Sequence, residues 1–403
     1  MKIEPAIAVV GTFDSKAEEH FFLEKSIEQR GMRSLTINVG TRGPSPSPVS
    51  IDFFDLMQNS ENANFESRDK AIAAMIQMAR KKIKQLYQEG EICGIISAGG
   101  GTGTHICTSI MHELPLGAPK IMVSTVASRD MAQTVGTKDI TMIHSVADLL
   151  GVNSISGMIL DKAAAGICAM AQSNWMPATQ KKRIALPFFG FITDGAEATK
   201  RALEKLGYEV VAFHANGTGG MAMEELAAEG YFDGILDFAT HELADDLLDG
   251  YCGGIGPQRY EPVPGKAIPR LVVPGGLDCA VLEFTRNNIP DKYKDRKIFF
   301  YDFRSAIRLN EDETTHLANQ LAEKLNKDAA GVKVLVPING WSEADRQDGP
   351  LFDPEMNSLF LRQFRELLNP QIEVIEVDYH INDSKFGSIA AQTMDRMVRS
   401  LSI

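Results

Sequence analysis

Residues 92–104 read ICGIISAGGGTGT. The apolar run Ile92 to Ile96 has the continuous hydrophobicity of a strand buried on both faces of a parallel sheet. Ser97 and Ala98 follow it, and then Gly99, Gly100, Gly101, Thr102, Gly103 and Thr104. Beyond them Ile106, Ile110 and Met111 fall on one face of a helix. Strand, glycine-rich turn and helix in that order place free backbone N–H groups and a positive helix end around an anion. Glycine lets the backbone approach a phosphate without interference from a Cβ. Thr102 and Thr104 are of the type that caps a helix or holds a phosphate or a metal-bound water. An ordinary α/β protein uses the same turn for close packing alone.

The loop is not a Walker A motif, because no Lys-Ser/Thr follows its last glycine. Nor is it a clean GxGxxG, since Thr104 stands where the third glycine belongs. The next apolar run, KIMVST at 120–125, ends without an acid to hold a ribose. A nucleotide or phosphoester therefore ranks above a nicotinamide cofactor.

With 403 residues, 44% hydrophobic and 23% charged, the chain is long enough for two domains with full cores. A net charge of −12 argues against nucleic acid as the main partner, while leaving room for one phosphate pocket whose field is set locally. No run of 18 apolar residues is present, so no membrane span is expected. The start, MKIEPAIAVV, enters a strand at once and lacks the pattern of a signal peptide. Cys93, Cys107, Cys168, Cys252 and Cys279 form no CxxC pair, which fits a reducing, cytoplasmic setting. Cys93 and Cys168 lie in apolar runs and read as inert core residues. Cys279, after Gly-Gly-Leu-Asp, is the thiol to watch for reactivity, with packing as its ordinary role.

Working outward, residues 6–10 make a first strand that runs into Gly11-Thr12-Phe13-Asp14-Ser15-Lys16. A helix is expected from Lys16 to Gln29, with Asp14 and Ser15 as N-cap types and Gly31 closing it. A strand at 33–39 precedes GTRGPSPSPVS (40–50), whose prolines exclude helix and ladder and suggest a lid or interface arm. A helix at 67–88, strands at 119–125 and 140–144 and a helix at 157–172 complete the first half. Ser124 and Thr125 end their strand at the edge shared with the glycine loop. The polar stretch SNWMPATQKKR (173–183) reads as a linker.

The pattern then restarts. Strands are expected at 183–189, 208–214, 234–239, 268–273, 297–302, 332–338 and 372–378. Helices are expected at 194–206, 221–229, 311–327, 355–368 and 385–400. The fold class is α/β: two Rossmann-like domains, 1–180 and 181–403, each a mostly parallel sheet with helices on both faces. A second glycine turn, Ala215-Asn216-Gly217-Thr218-Gly219-Gly220, opens a helix in the second domain. His214, Glu242 and Asp278 end or follow predicted strands there. They are candidates for acid–base catalysis, against ordinary roles as a capping or core histidine, a first-turn helix acid and a turn residue.

Taken together these motifs resemble the Tm-one-like ATP-binding domain family, whose namesake is a tomato protein that inhibits tobamovirus replication. The resemblance covers essentially the whole chain. It rests on GTFDSKAEE (11–19), SAGGGTGT (97–104), PKIMVSTVAS (119–128), SVADLLGVN (145–153), FHANGTGGMAMEEL (213–226), HELADDL (241–247), GGLD (275–278) and HINDSKFG (380–387). The family has Asp-Thr-Lys where this chain has Asp14-Ser15-Lys16, and Ala-Thr-Gly-Thr-Gly-Gly where it has 215–220. A family stretch rich in His, Asn, Thr and Arg is replaced by Tyr301-Asp302-Phe303-Arg304-Ser305-Ala306. The resemblance implies ATP contacts at Gly11, Thr12, Asp14, Lys16, Gly99, Gly100, Gly101, Thr102, Gly103, Thr104, Ser124 and Thr125. Lys16 would neutralise phosphate, and Asp14 would orient Mg²⁺. The leading expectation is thus a cytoplasmic nucleotide-binding protein that takes ATP with Mg²⁺, forms a homo-oligomer and has no nucleic-acid or membrane partner. The alternatives are an enzyme acting on a small carboxylate or sugar acid in the cleft between domains, and a non-catalytic interaction protein.

Overall fold

The computed structural model describes residues 4–58 and 67–401. The chain divides between Met176 and Pro177, inside the polar linker, into two compact units. The first contains β1 (Ala6–Gly11), α1 (Phe13–Glu28), β2 (Ser34–Asn38), β3 (Ile51–Asp52), α2 (Phe53–Gln58), α3 (Arg68–Gln88) and β4 (Ile92–Gly99). It continues with α4 (Gly101–Met111), β5 (Lys120–Ser124), α5 (Ala132–Val135), β6 (Thr141–His144) and α6 (Ser154–Ala171). Its six strands are all parallel, in the order β3-β2-β1-β4-β5-β6. That is the strand order of the dinucleotide-binding fold, and the direction of winding reverses between β1 and β4.

The alternation of side chains along β1 explains the two layers of helices. Ile7 and Val9 point into a core with Leu23 and Ile27 of α1 and Leu160, Ala163 and Ile167 of α6. Ala8 and Val10 point the other way, toward Ala79 and Ile83 of α3 and Ile106 and Ile110 of α4. By length and composition α6 is apolar enough to cross a membrane. One face of it, with Leu160, Ala163 and Ile167, packs in the core while Ile155 and Met158 are exposed, and it is started by a capping box in which Asn153 and Ser156 exchange hydrogen bonds.

The second unit contains β7 (Arg183–Phe188), α7 (Thr193–Lys205), β8 (Glu209–His214), α8 (Thr218–Glu229), β9 (Gly234–Asp237), α9 (Glu242–Leu247), β10 (Arg270–Val272), β11 (Cys279–Leu282) and β12 (Ile298–Phe300). After these come β13 (Ser305–Arg308), α10 (Glu311–Leu325), β14 (Val332–Pro337), α11 (Pro354–Leu367), β15 (Glu373–Val377) and α12 (Ser384–Ser400). Six strands form a parallel sheet in the order β15-β14-β10-β9-β7-β8. The two α/β sheets match the expected class. The sequence reading lacks the separate antiparallel sheet β11-β13-β12, inserted after β10. The run expected as a strand at 297–302 belongs to that small sheet, and Tyr301–Arg304 is its turn.

Helix starts differ from expectation at both glycine-bearing turns of the first unit. α1 begins at Phe13 rather than Lys16, and Lys16 itself leaves helical geometry at φ −135°. Neither Asp14 nor Ser15 caps it. Asn38, at the end of β2, reaches across to accept the Phe13 N–H at 3.1 Å. α4 begins at Gly101, so Thr102, Gly103 and Thr104 form its first turn rather than a loop before it.

The end of β1 is packed too tightly for any side chain. A Cβ at Gly11 would sit 1.8 Å from Nε2 of His20, which is fully buried. His20 is held neutral. Burial lowers its pKa to about 4, Nδ1 lies 2.6 Å from the Lys16 carbonyl, and Nε2 accepts the Ala98 N–H. Gly11→Ala is expected to destabilise the first unit by about 1–3 kcal/mol through overpacking. Adding His20→Ala should recover part of that loss. Urea unfolding of the single and double variants measures both, and strictly additive losses would show that His20 is not the obstacle.

Candidate functional site

β1 and β4 end side by side where the winding reverses, so α1 and α4 open onto one crevice. This is the position at which open α/β sheets bind ligands. A crevice of about 300 Å³ lies there. From the expected residues it is lined by Thr12, Asp14, Lys16, Gly100, Gly101, Thr102 and Gly103. Ser15, Thr41, Arg42, Arg68 and Ile106 also line it. Gly11, Gly99, Thr104, Ser124 and Thr125 are not in the lining. Thr104 and Ser124 are buried and hydrogen-bonded to each other at 2.7 Å, which holds the start of α4 on β5. Gly99 is a packing glycine, since a Cβ there would come within 3.1 Å of the Gly103 Cα.

Gly100 and Gly101 are different. Gly100 has φ −82°, and neither glycine has the positive φ that would demand glycine. A Cβ at Gly101 would meet nothing within 4 Å, and one at Gly100 only the Thr125 hydroxyl at 3.7 Å. No side chain caps α4, whose first turn therefore presents the N–H groups of Gly101, Thr102 and Gly103 without helical acceptors. Facing them are two exposed arginines, Arg42 from the 40–50 loop and Arg68 from the start of α3. Neither makes an ion pair among the described residues. The Lys16 ammonium donates to the Leu149 carbonyl, which leaves two of its donors. Asp14 is the one carboxylate in the lining, and its Oδ2 accepts the Arg42 N–H at 2.9 Å.

At the end of β2, where a dinucleotide fold carries its ribose-binding acid, stands Asn38. Its oxygen accepts from Phe13 and Gly40, and its amide donates to Gly43 and Asp52. The arginines escaped sequence reading because an exposed arginine has no local signature. Only the length and proline content of the 40–50 loop hinted at Arg42.

In the second unit the three candidate catalytic residues fall in different surroundings. Glu242 is fully buried. Its Oε2 takes the Arg259 Nε at 2.9 Å, and its Oε1 takes the Gly217 N–H at 2.7 Å. Arg259, also fully buried, grips Asp237 with both terminal nitrogens and contacts Glu224, which is shared with Arg270. Asp278 belongs to a second buried cluster. Ser342 donates to it at 2.9 Å, and Arg308 lies 3.8 Å away and also contacts Asp345. Its other oxygen has no hydrogen-bond partner among the described residues. Burial, and then the charge of Asp345, push its carboxyl upward. His214 is exposed at the end of β8, with its pKa lowered by partial burial and by Arg304. Cys279, the thiol to watch, is buried, and burial raises it well above the ordinary range, so it packs rather than reacts.

The second glycine turn is also of a different kind. A Cβ at Gly219 would meet the His214 carbonyl at 1.9 Å, and one at Gly220 the Glu242 carboxylate at 2.6 Å. Gly219 donates to Asn216. At the start of α8 the N–H groups of Gly217 and Gly219 are therefore taken by the chain's own acceptors, Glu242 and Asn216.

Two measurements test this account. Glu242→Ala leaves the Arg259 Nε and the Gly217 N–H without their acceptor and should cost the second unit about 1–3 kcal/mol for each. The unfolding midpoint seen by the buried Trp341 reports it. The second measurement is pH. Burial raises the Asp245 carboxyl to about 7 from 3.8, so its stabilising contribution is complete at low pH and lost as pH rises through 7. His241, lowered by burial to about 3, acts oppositely, but only as pH falls below its unfolded value of 6.5. Between pH 8 and 6.5 the second unit should therefore gain stability on acidification, and Asp245→Asn should reduce that slope to the part left by Asp278, whose carboxyl burial also raises.

Comparison with known proteins places the chain in a family. The N-terminal domain of an uncharacterised protein family, UPF0261, matches residues 5–175, and its C-terminal domain matches 181–398. A UPF0261 protein of Clostridium tetani is 33% identical over 97% of this chain and 98% of its own length. One of Mesorhizobium japonicum is 34% identical over 96% and 98%. The ToMV resistance protein Tm-1 of Solanum lycopersicum is 30% identical over 95% of this chain, which spans 54% of that longer protein. None of these names states an activity, and ATP binding remains an expectation. A crystal structure of UDP-N-acetylglucosamine 2-epimerase is 10% identical over 92% of both chains with a TM-score of 0.25, too low to carry an argument. On both domain matches and on identity along nearly its whole length, the chain belongs to the uncharacterised protein family UPF0261.

Proposed function

We propose that the N-terminal unit is a nucleotide-binding module that takes the phosphates of ATP in the crevice between β1 and β4. The observation that carries this reading is the uncapped start of α4. There Gly100 and Gly101 satisfy no need of the protein's own conformation or packing, and three backbone N–H groups have no acceptor among the described residues. Such a start binds anions through its N–H groups and the helix dipole. Arg42 and Arg68 add two positive charges, and Lys16 a third beside its carbonyl partner. A polyphosphate matches this excess better than a monoanion. The spent polar atoms of Asn38 disfavour a dinucleotide.

The residues do not fit a resident divalent ion. No group of three His, Cys, Asp or Glu side chains able to hold a metal occurs among the described residues. Asp14 alone offers a carboxylate to the crevice. A Mg²⁺ would depend on the phosphates and water for most of its ligands.

The test is binding by purified protein stripped of nucleotide. ATP at about one hundred times its dissociation constant should stabilise the protein by roughly 2.7 kcal/mol. Gly101→Val should fold, since its Cβ meets open space and its φ is ordinary, and should lose the shift because the side chain occupies the ligand's approach. A folded Gly101→Val protein that binds ATP like wild type would remove this crevice from consideration.

A further inference from the structure

We infer that Asp14 is a positioning residue, which docks the 40–43 loop on the start of α1 and so holds Arg42 at the crevice. The inference rests on the nucleotide reading only for what Arg42 meets; the docking itself needs no ligand.

The contacts are specific. Asp14 Oδ2 accepts the Arg42 N–H at 2.9 Å. Gly40 lies directly against the same carboxylate. A Cβ there would stand 2.4 Å from Cγ and 2.5 and 2.7 Å from the two oxygens, so any other residue at 40 would displace the carboxylate. Asn38 Oδ1 joins the N–H of Phe13 to that of Gly40, which ties the first residue of the loop to the first residue of α1. Asn38 Nδ2 reaches the Gly43 carbonyl, and Asp52 accepts the Ser45 N–H at 2.8 Å. Residues 40, 42, 43 and 45 are thus each held by a side chain from a strand end or from α1. The loop read from its length and prolines as a lid or interface arm is docked here, with Arg42 in the lining of the crevice.

This geometry assigns Asp14 a role other than that of magnesium ligand. A metal taken by Oδ2 would compete with the Arg42 N–H, and a carboxylate that rotated away would withdraw its support from the loop at Gly40 and Arg42. The charge of a bound phosphate is met instead by guanidinium groups and helix N–H groups, so binding does not require a metal.

Two variants of the full chain separate the roles. Asp14→Asn keeps an oxygen for the Arg42 N–H and removes the charge that a metal ligand needs. Asp14→Ala removes both. Without ligand, tryptic cleavage after Arg42 should be about tenfold faster in Asp14→Ala than in wild type and nearly unchanged in Asp14→Asn. With ATP, and with inorganic pyrophosphate, Asp14→Asn should bind at least as tightly as wild type in both EDTA and Mg²⁺. Asp14→Ala should weaken binding about tenfold, to the level of Arg42→Ala, and the double variant should be no weaker than Arg42→Ala alone. Equal loss of Mg²⁺-dependent affinity in Asp14→Asn and Asp14→Ala would overturn the inference, as would unchanged tryptic cleavage in Asp14→Ala. Wild type that binds neither probe would sink the nucleotide reading, and the cleavage rates would still decide the docking.

Discussion

The first backbone N–H groups of a helix have no acceptor within it and must find one outside. The two units meet this requirement in opposite ways at their glycine-rich helix starts. At α8 the chain supplies its own anion, and the Glu242 carboxylate accepts from Gly217 while Asn216 accepts from Gly219. At α4 no side chain arrives, and Gly101, Thr102 and Gly103 face a crevice. Much of the polar chemistry follows from this difference. A carboxylate buried at α8 needs a buried cation. Arg259 is drawn in, and its remaining nitrogens need Asp237 and Glu224, which in turn engage Arg270. At α4 Gly101 and Thr102 stay exposed while Gly103 is buried behind them, and the cations beside them stay on the surface.

Such a buried network is weak evidence for net stability, because desolvation offsets most of the attraction between its members. What it does is fix geometry. Arg259 touches Glu242 from α9, Asp237 from β9 and Glu224 from α8, so these elements pack in one arrangement or leave a charge unpaired. The exposed arginines of the first unit have no such obligation. Their field acts over the few ångströms of the crevice, within the Debye length, so a chain of net charge −12 can still present a locally positive site.

The main strands were legible because a strand buried between helix layers is a continuous apolar run, as in Ala6–Val10 and Ile92–Ile96. Gly31 and Gly207 marked helix ends correctly, with φ +79° and +96°. β11 and β13 were not legible. Each has four residues, and their pairing, Cys279 with Arg308, spans a turn-rich stretch that leaves no local pattern. At the sites, the glycine loop was found from its residue types, but Arg42 and Arg68 were missed. Glu242 was recognised as a carboxylate following a strand. Position at a strand end does not reveal that an arginine seventeen residues later lies buried against it. The cap of α1 was misread for the same reason: its acceptor is Asn38, distant in sequence and adjacent only in the sheet.

Glycines themselves sort the two starts. A glycine loses more conformational freedom on folding than any other residue, roughly 0.5–1 kcal/mol relative to alanine inside a helix or strand, and a close neighbour or a positive φ is what calls for one. For Gly11, Gly40, Gly219 and Gly220 the reason is a neighbour that a Cβ would strike. For Gly217 it is also a positive φ, as it is for Gly276 beside the Phe189 ring. Gly101 has neither reason, for its φ is ordinary and its surroundings are empty. Alanine there would strengthen the first turn of α4 and disturb no contact among the described residues. What alanine would lose is room above the N–H groups that have no acceptor. The glycine and the open donors are the two observations on which the nucleotide proposal stands, and they coincide at one helix start.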